Sequence, residues 1–275
     1  MSADAWFLET AVATGIYGVL AGMLVPTLIA RIPEPDPELE PPGDQIDAEL
    51  PHEERSGQAA ETEPGAVVPE AVGKMPVPDT PETKERYDEI ARSRGLRWKA
   101  GVATCLVCGL IGARVGWEPE LSFLLYLAPV SVALAVVDWR TRLLPTKVVA
   151  PSYVVVAVLA VISAWAAGDW SPLATAAWGW LVAGGTFFVL WFIYPRGMGY
   201  GDVRLSGVLG IALGYLGWSE LLTGVYAGFL LGGVGGLLLS SLRIVDRKAY
   251  PFGPFMLVGA LAGVLTGPYV AAWYA

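Results

Sequence analysis

The stretch ELSFLLYLAPVSVALAVVDWRTRLLPTK, residues 120–147, decides how the chain is read. Residues 121–137 run without a charge and stop at Asp138, which is followed by Trp139, Arg140 and Arg142. An apolar run of about 17 residues is the lower limit for a helix that crosses a bilayer. The rest of the chain repeats the pattern. Of its 275 residues 54% are hydrophobic and only 16% are charged, and the mean hydropathy is +0.51. A soluble domain carries about 25% charged residues. The composition therefore implies an all-α polytopic membrane protein with about eight transmembrane helices. They fall near 5–30, 99–116, 121–137, 148–167, 173–194, 205–218, 220–242 and 252–274. The boundary between the sixth and seventh is the least sharply marked. The first segment lacks the basic n-region of a signal peptide, and its apolar run is too long for an h-region. It is read as a retained span.

The basic residues set the orientation. With the N-terminus outside, 17 of the 18 Lys and Arg fall in cytoplasmic loops or at their edge, and only Arg114 falls outside. The outer loops carry Glu118, Glu120, Asp169 and Glu220 instead. Both termini are then expected outside. Trp117, Trp139, Trp170 and Trp218 lie near span ends, as an interfacial aromatic belt requires. Gly228, Gly232, Gly233, Gly235 and Gly236 are read as small residues for close helix packing.

The chain divides into a first transmembrane helix (1–31), a cytoplasmic loop (32–98) and a transmembrane core (99–275). Residues 32–83 hold 11 prolines, and 32–98 hold 17 acidic against 7 basic residues. Such a segment buries too little apolar surface to offset its ordering entropy, so most of it is expected to be disordered. Residues 82–98 look helical and amphiphilic. The net charge of −8 argues against a nucleic-acid partner. The single histidine, His52, lies in the acidic loop, which excludes His-based catalysis in the core. Cys105 and Cys108 are one turn apart inside the second span, and two thiols alone do not make a tetrahedral metal site. No metal and no cofactor is expected.

Ionisable residues at membrane depth mark function. Asp138 ends the third span and Asp202, in YPRGMGYGDVRLSG (194–207), starts the sixth. The topology puts both at the cytoplasmic face. Two close carboxyls cannot both ionise easily, so they share a proton. One can then act as base on a water while the other, protonated, polarises a scissile carbonyl. No histidine, thiol or metal is needed. Gly197, Gly199 and Gly201 imply an irregular backbone before the helix, open to a substrate chain. The competing reading pairs Asp138 and Asp202 with Arg140, Arg142 or Arg204 at the headgroup level. Asp246, in RIVDRKAYP (243–251), is a reserve carboxylate with Arg243 and Arg247 as its default partners.

Four stretches resemble the type IV prepilin peptidases, membrane aspartic proteases of the GxGD class. DWRTRLLPTKVVAP (138–151) is similar to the family's Asp-x-Arg-x-x-x-x-Pro. GMGYGDVRLSGVLG (197–210) matches its Gly-x-Gly-Asp followed by a basic residue and Leu. YPFGPFMLVGALAG (250–263) resembles its Pro-Phe-Gly-Pro-Phe stretch, and GVLAGMLVPTLIARIPEP (18–35) is a looser echo of its first helix. The resemblance implies that Asp138 and Asp202 are the catalytic pair. Gly199, Gly201, Arg140, Arg204 and Pro145 would shape the site or bind substrate. It implies removal of a basic leader from prepilin or pseudopilin precursors at the inner face of the cytoplasmic membrane. Pilus or secretion assembly proteins would be further partners. Larger family members carry a loop with two CxxC zinc pairs, linked to N-methylation. Residues 32–98 contain no cysteine, so a peptidase without methyltransferase activity is expected. Two rival functions remain at this point: a catalytically silent, peptidase-like assembly factor, and a proton-coupled transporter. The transporter is disfavoured because both aspartates fall on one face.

Overall fold

A computed structural model describes residues 6–33, 86–195, 198–241 and 251–274. The His52-containing acidic stretch 34–85, Gly197, and the 242–250 stretch with Arg243, Asp246 and Arg247 lie outside the described residues. The described residues form helices joined by short turns. In chain order these are α1 (Leu8–Met23), α2 (Val25–Ala30), α3 (Tyr87–Ala91), α4 (Leu96–Val115), α5 (Leu121–Thr141) and α6 (Thr146–Ala167). Then come α7 (Ser171–Gly179), a π-helical turn (Trp180–Gly184), α8 (Gly185–Ile193), α9 (Tyr200–Leu216), α10 (Trp218–Ser241) and α11 (Gly253–Tyr274).

Among the described residues, six helical stretches are long and apolar enough to cross a membrane: Leu8–Ala30, Leu96–Val115, Leu121–Thr141, Thr146–Ala167, Ser171–Ile193 and Gly253–Trp273. Helices α9, of 17 residues, and α10, of 24, complete the bundle at the places read as the sixth and seventh spans. The uncertain boundary between them falls at Gly217, whose φ of 150° breaks the helix.

The element ends follow local chemistry. The first span is interrupted at Leu24 because Pro26 opens α2. A proline ring clashes with the carbonyl four residues back and supplies no N–H. Positive-φ glycines stop α4 at Gly116 and α6 at Gly168. Asp169 then accepts the Ser171 N–H at 2.9 Å and the Ser171 hydroxyl at 3.0 Å, which holds its carboxyl below the ordinary carboxylate range. The expected helix over 82–98 is not continuous. Among the described residues 86–98, Tyr87–Ala91 is helical, the chain turns at Gly95, with φ 81°, and α4 starts at Leu96. That turn lets Tyr87 and Ile90 join a buried cluster with Val25, Ile29, Ile32 and Val137.

Small residues let the helices approach closely. α1 lies along α4, where a Cβ on Gly18 would come 2.6 Å from the Thr104 carbonyl oxygen. α10 lies along α11, where a Cβ on Gly263 would meet the Glu220 carbonyl at 2.5 Å. Gly232 and Gly235 accommodate the rings of Phe252 and Phe255, whereas Gly233 faces open space. Arg114, the basic residue read as outside, is fully buried, and its guanidinium carbon sits 5.2 Å from the Tyr269 ring centroid.

Candidate functional site

Three helix ends converge on one loop. Helix α5 delivers Asp138 in its last turn and closes at Arg142, which adopts a left-handed φ of 56°. The Arg142 N–H bonds the Asp138 carbonyl oxygen at 2.8 Å, an αL helix stop. Leu143 and Leu144 follow, and buried Pro145 caps α6 by accepting the N–H groups of Val148 and Val149 at 3.0 and 3.2 Å. Pro145 thus fixes where the loop ends.

Helix α9 begins at the motif itself. Gly199 is its N-cap, and its carbonyl accepts the Asp202 N–H at 3.0 Å. The Asp202 carboxyl turns back toward Gly199, where a Cβ would stand 3.5 Å from Asp202 Oδ2. An acidic residue at this position is also favoured by the positive end of the helix dipole. Asp202 is 7% exposed and Asp138 is 4% exposed.

The third end belongs to α11. The backbone N–H of Gly253 donates to Asp138 Oδ2 at 3.0 Å. A Cβ on Gly253 would stand 2.7 Å from that oxygen and 3.5 Å from Leu144 Cδ1. A Cβ on Gly201 would stand 2.7 Å from Leu144 Cβ. Leu144 therefore lies between the turns that carry the two aspartates.

The two glycines of the motif do different work. Gly199 has φ −69° and ψ 141°, which any residue adopts, and a Cβ there would make an ordinary 3.5 Å contact with Asp202 Oδ2. Gly201 is needed for close approach to Leu144. Gly201→Ala is expected to lower turnover at the aspartate pair by about 10-fold or more, because Leu144 and the α5–α6 loop must shift. Gly199→Ala is expected to stay within about 3-fold of wild type, since nothing must move. A side-by-side rate measurement of the two variants checks this.

Neither aspartate forms an ion pair among the described residues. The Arg204 guanidinium packs 4.6 Å above the Tyr200 ring and bonds the Thr146 hydroxyl, while its carbonyl accepts the Tyr153 hydroxyl at 2.7 Å. It ties α9 to the start of α6 at the rim of the site. Arg140 is exposed, and residues two apart on a helix do not face each other, so it points away from Asp138. The structure thus brings Asp138, Asp202, Gly199 and Gly201 together and leaves Arg204 and Pro145 on the periphery. Gly253 and Leu144 were not singled out from the sequence. Cys105 and Cys108 both lie on α4, so the residues present do not fit a four-thiolate zinc centre.

Two buried carboxyls at converging helix ends, with Asp138 held by the Gly253 N–H, are arranged for general acid–base chemistry. Comparison with known proteins points the same way. Residues 123–237 match the model of the type IV leader peptidase family. The chain is 28% identical to a prepilin leader peptidase/N-methyltransferase of Stutzerimonas stutzeri over 182 residues, 62% of this chain and 59% of that protein. It is 31% identical to the Aeromonas salmonicida protein of the same name over 168 residues, 58% of this chain and 53% of that protein. It is 32% identical to leader peptidase HopD of Escherichia coli over 163 residues, 54% of this chain and 94% of that protein. The alignments thus span a little over half the length of the first two relatives. No solved structure matches. With nearly the whole of the Escherichia coli relative covered, and the matched region running from α5 through both aspartates into α10, the chain belongs to the type IV leader peptidase family.

Proposed function

We propose that the protein is a membrane aspartic endopeptidase that removes the basic leader from prepilin or pseudopilin precursors. The observation that carries this reading is the pairing of two buried carboxyls, Asp138 and Asp202, at converging helix ends. In the proposed reaction one carboxylate takes a proton from water as its oxygen attacks the scissile carbonyl carbon. The other carboxyl, protonated, gives its proton to the carbonyl oxygen. The tetrahedral diol then collapses, the C–N bond breaks, and the nitrogen leaves as an amine with the proton taken from water. One diol hydroxyl returns its proton to the second carboxylate, which restores the pair. Microscopic roles are not divided between Asp138 and Asp202, because coupled groups titrate as a unit.

The distribution of Lys and Arg supports a site at the cytoplasmic face of the inner membrane. A leader rich in basic residues would wait on that side, with its apolar helix in the bilayer. The scissile bond must leave the helix, because a hydrogen-bonded turn hides its carbonyl. Methyl transfer is not part of the proposal, since 32–98 contains no cysteine for the zinc-bound loop of the larger relatives. The silent assembly factor has no need of a buried acidic pair, which weighs against it.

The test is co-expression with prepilin-like precursors from the same genome, followed by intact mass measurement of the product. The expected result is loss of the leader without an added 14 Da methyl group (mass from the chemistry of methylation, about one CH2). Unprocessed precursor beside a properly inserted protein would transfer the reading to the assembly factor.

A further inference from the structure

A groove of about 190 Å3 opens on the membrane side of the aspartates, between α4, α5, α9 and α11. Its lining is apolar apart from Ser131. On α5 it includes Ser131 and Ala135, seven and three residues before Asp138 and so on the same helix face. On α9 it includes Leu209 and Leu213, seven and eleven residues after Asp202, again on the face that carries the carboxyl. On α11 it begins at Pro254, next to the Gly253 N–H that holds Asp138, and continues one turn on at Val258. All three helices that build the carboxyl site therefore continue directly into the groove. At about 1.5 Å per residue, it runs from about 5 Å to about 20 Å beyond Asp138. Val258 is 54% exposed and marks the open rim.

We infer that this groove seats the apolar helix of the precursor, just past the bond to be cut. The inference rests on the proposed peptidase function and adds where the substrate helix lies. The volume is far too small for a helix about 10 Å across, so only the large apolar side chains of one helix face enter it. The helix body stays on the lipid side, against α5 and α11. A chain held this way presents the residues before its first seated side chain to Asp138 and Asp202. Specificity for a long apolar stretch after the cut follows from the groove's length, and tolerance of varied apolar residues follows from its lack of polar partners.

The test places the photoreactive residue p-benzoylphenylalanine at Val258, or at Val154 as a control, in an Asp202→Asn protein that holds the precursor uncut. Val154 lies on α6, outside the groove, and is 64% exposed. Insertion of both variants is checked by protease accessibility. The probe is a full-length precursor that the wild-type protein cuts. The expected result is capture of the precursor at 258 at least about five times more often than at 154. Equal or stronger capture at 154 overturns the inference. So does capture at 258 of lipid alone, or of a second copy of this chain, while the wild type still cuts the precursor. If the wild type cuts no precursor, the functional reading fails and the seat falls with it.

Discussion

Asp202→Asn and Asp138→Asn are each expected to lower precursor cleavage by at least about 1,000-fold, with insertion and thermal stability kept. The substitutions are nearly isosteric. The Asn carbonyl oxygen can still accept the Gly253 N–H at position 138, where the bond is 3.0 Å. What an amide cannot do is exchange the proton that the hydrolysis requires. The double variant is expected to lose no more than either single one, because the two groups act as one unit. Single-turnover rates with membrane-embedded protein measure all three. Additive losses, or a single variant with wild-type rate, would rule out a shared-proton pair.

The second large effect is expected at a residue with no side chain. Gly253→Ala should reduce kcat by about 100-fold, the size associated with displacing a catalytic group by about an ångström. Its Cβ would stand 2.7 Å from Asp138 Oδ2, so the carboxyl must move even though the alanine N–H still points at it. The fold should not suffer. Gly253 is the first residue of α11, where alanine does not interrupt the helix. Activity is therefore expected to fall while stability is kept, which a merely destabilising change would not do. Gly233→Ala is the control, since nothing lies within 4 Å of a Cβ there. Thermal unfolding in detergent beside kcat and KM for both variants decides the matter.

Much of this site is legible in the chain because its two carboxyls interrupt apolar runs. An aspartate at a span end stands out in composition alone, and the basic residues sort the loops to one side. Helix ends were less legible. The sixth segment begins at Tyr200 rather than 205, with the Asp202 N–H bonded to the Gly199 carbonyl in the first turn. Gly253 was hidden for a different reason. The PFGPF stretch is visible, but the group it contributes is a backbone N–H reaching a partner 115 residues away. Side-chain chemistry gives no hint of that. Gly199 and Gly201 look alike in sequence and differ only in what stands opposite them. The same holds for Arg140 and Arg204, of which only the second is tied to α6 through Thr146.

The cluster beneath Asp138 has a consequence for how this protein can change over time. Ile32 and Tyr87, which flank the acidic stretch, are 7% and 3% exposed in a cluster that also holds Val137. Both described borders of that stretch are therefore held at one anchored junction. The entropy of closing such an excursion grows only logarithmically, by about 0.6 kcal/mol for each doubling of its length. Whatever is carried between the two anchors is thermodynamically cheap to lengthen, trim or exchange. A change of length between the two anchors is expected to leave Val137, and the aspartate one residue beyond it, in place.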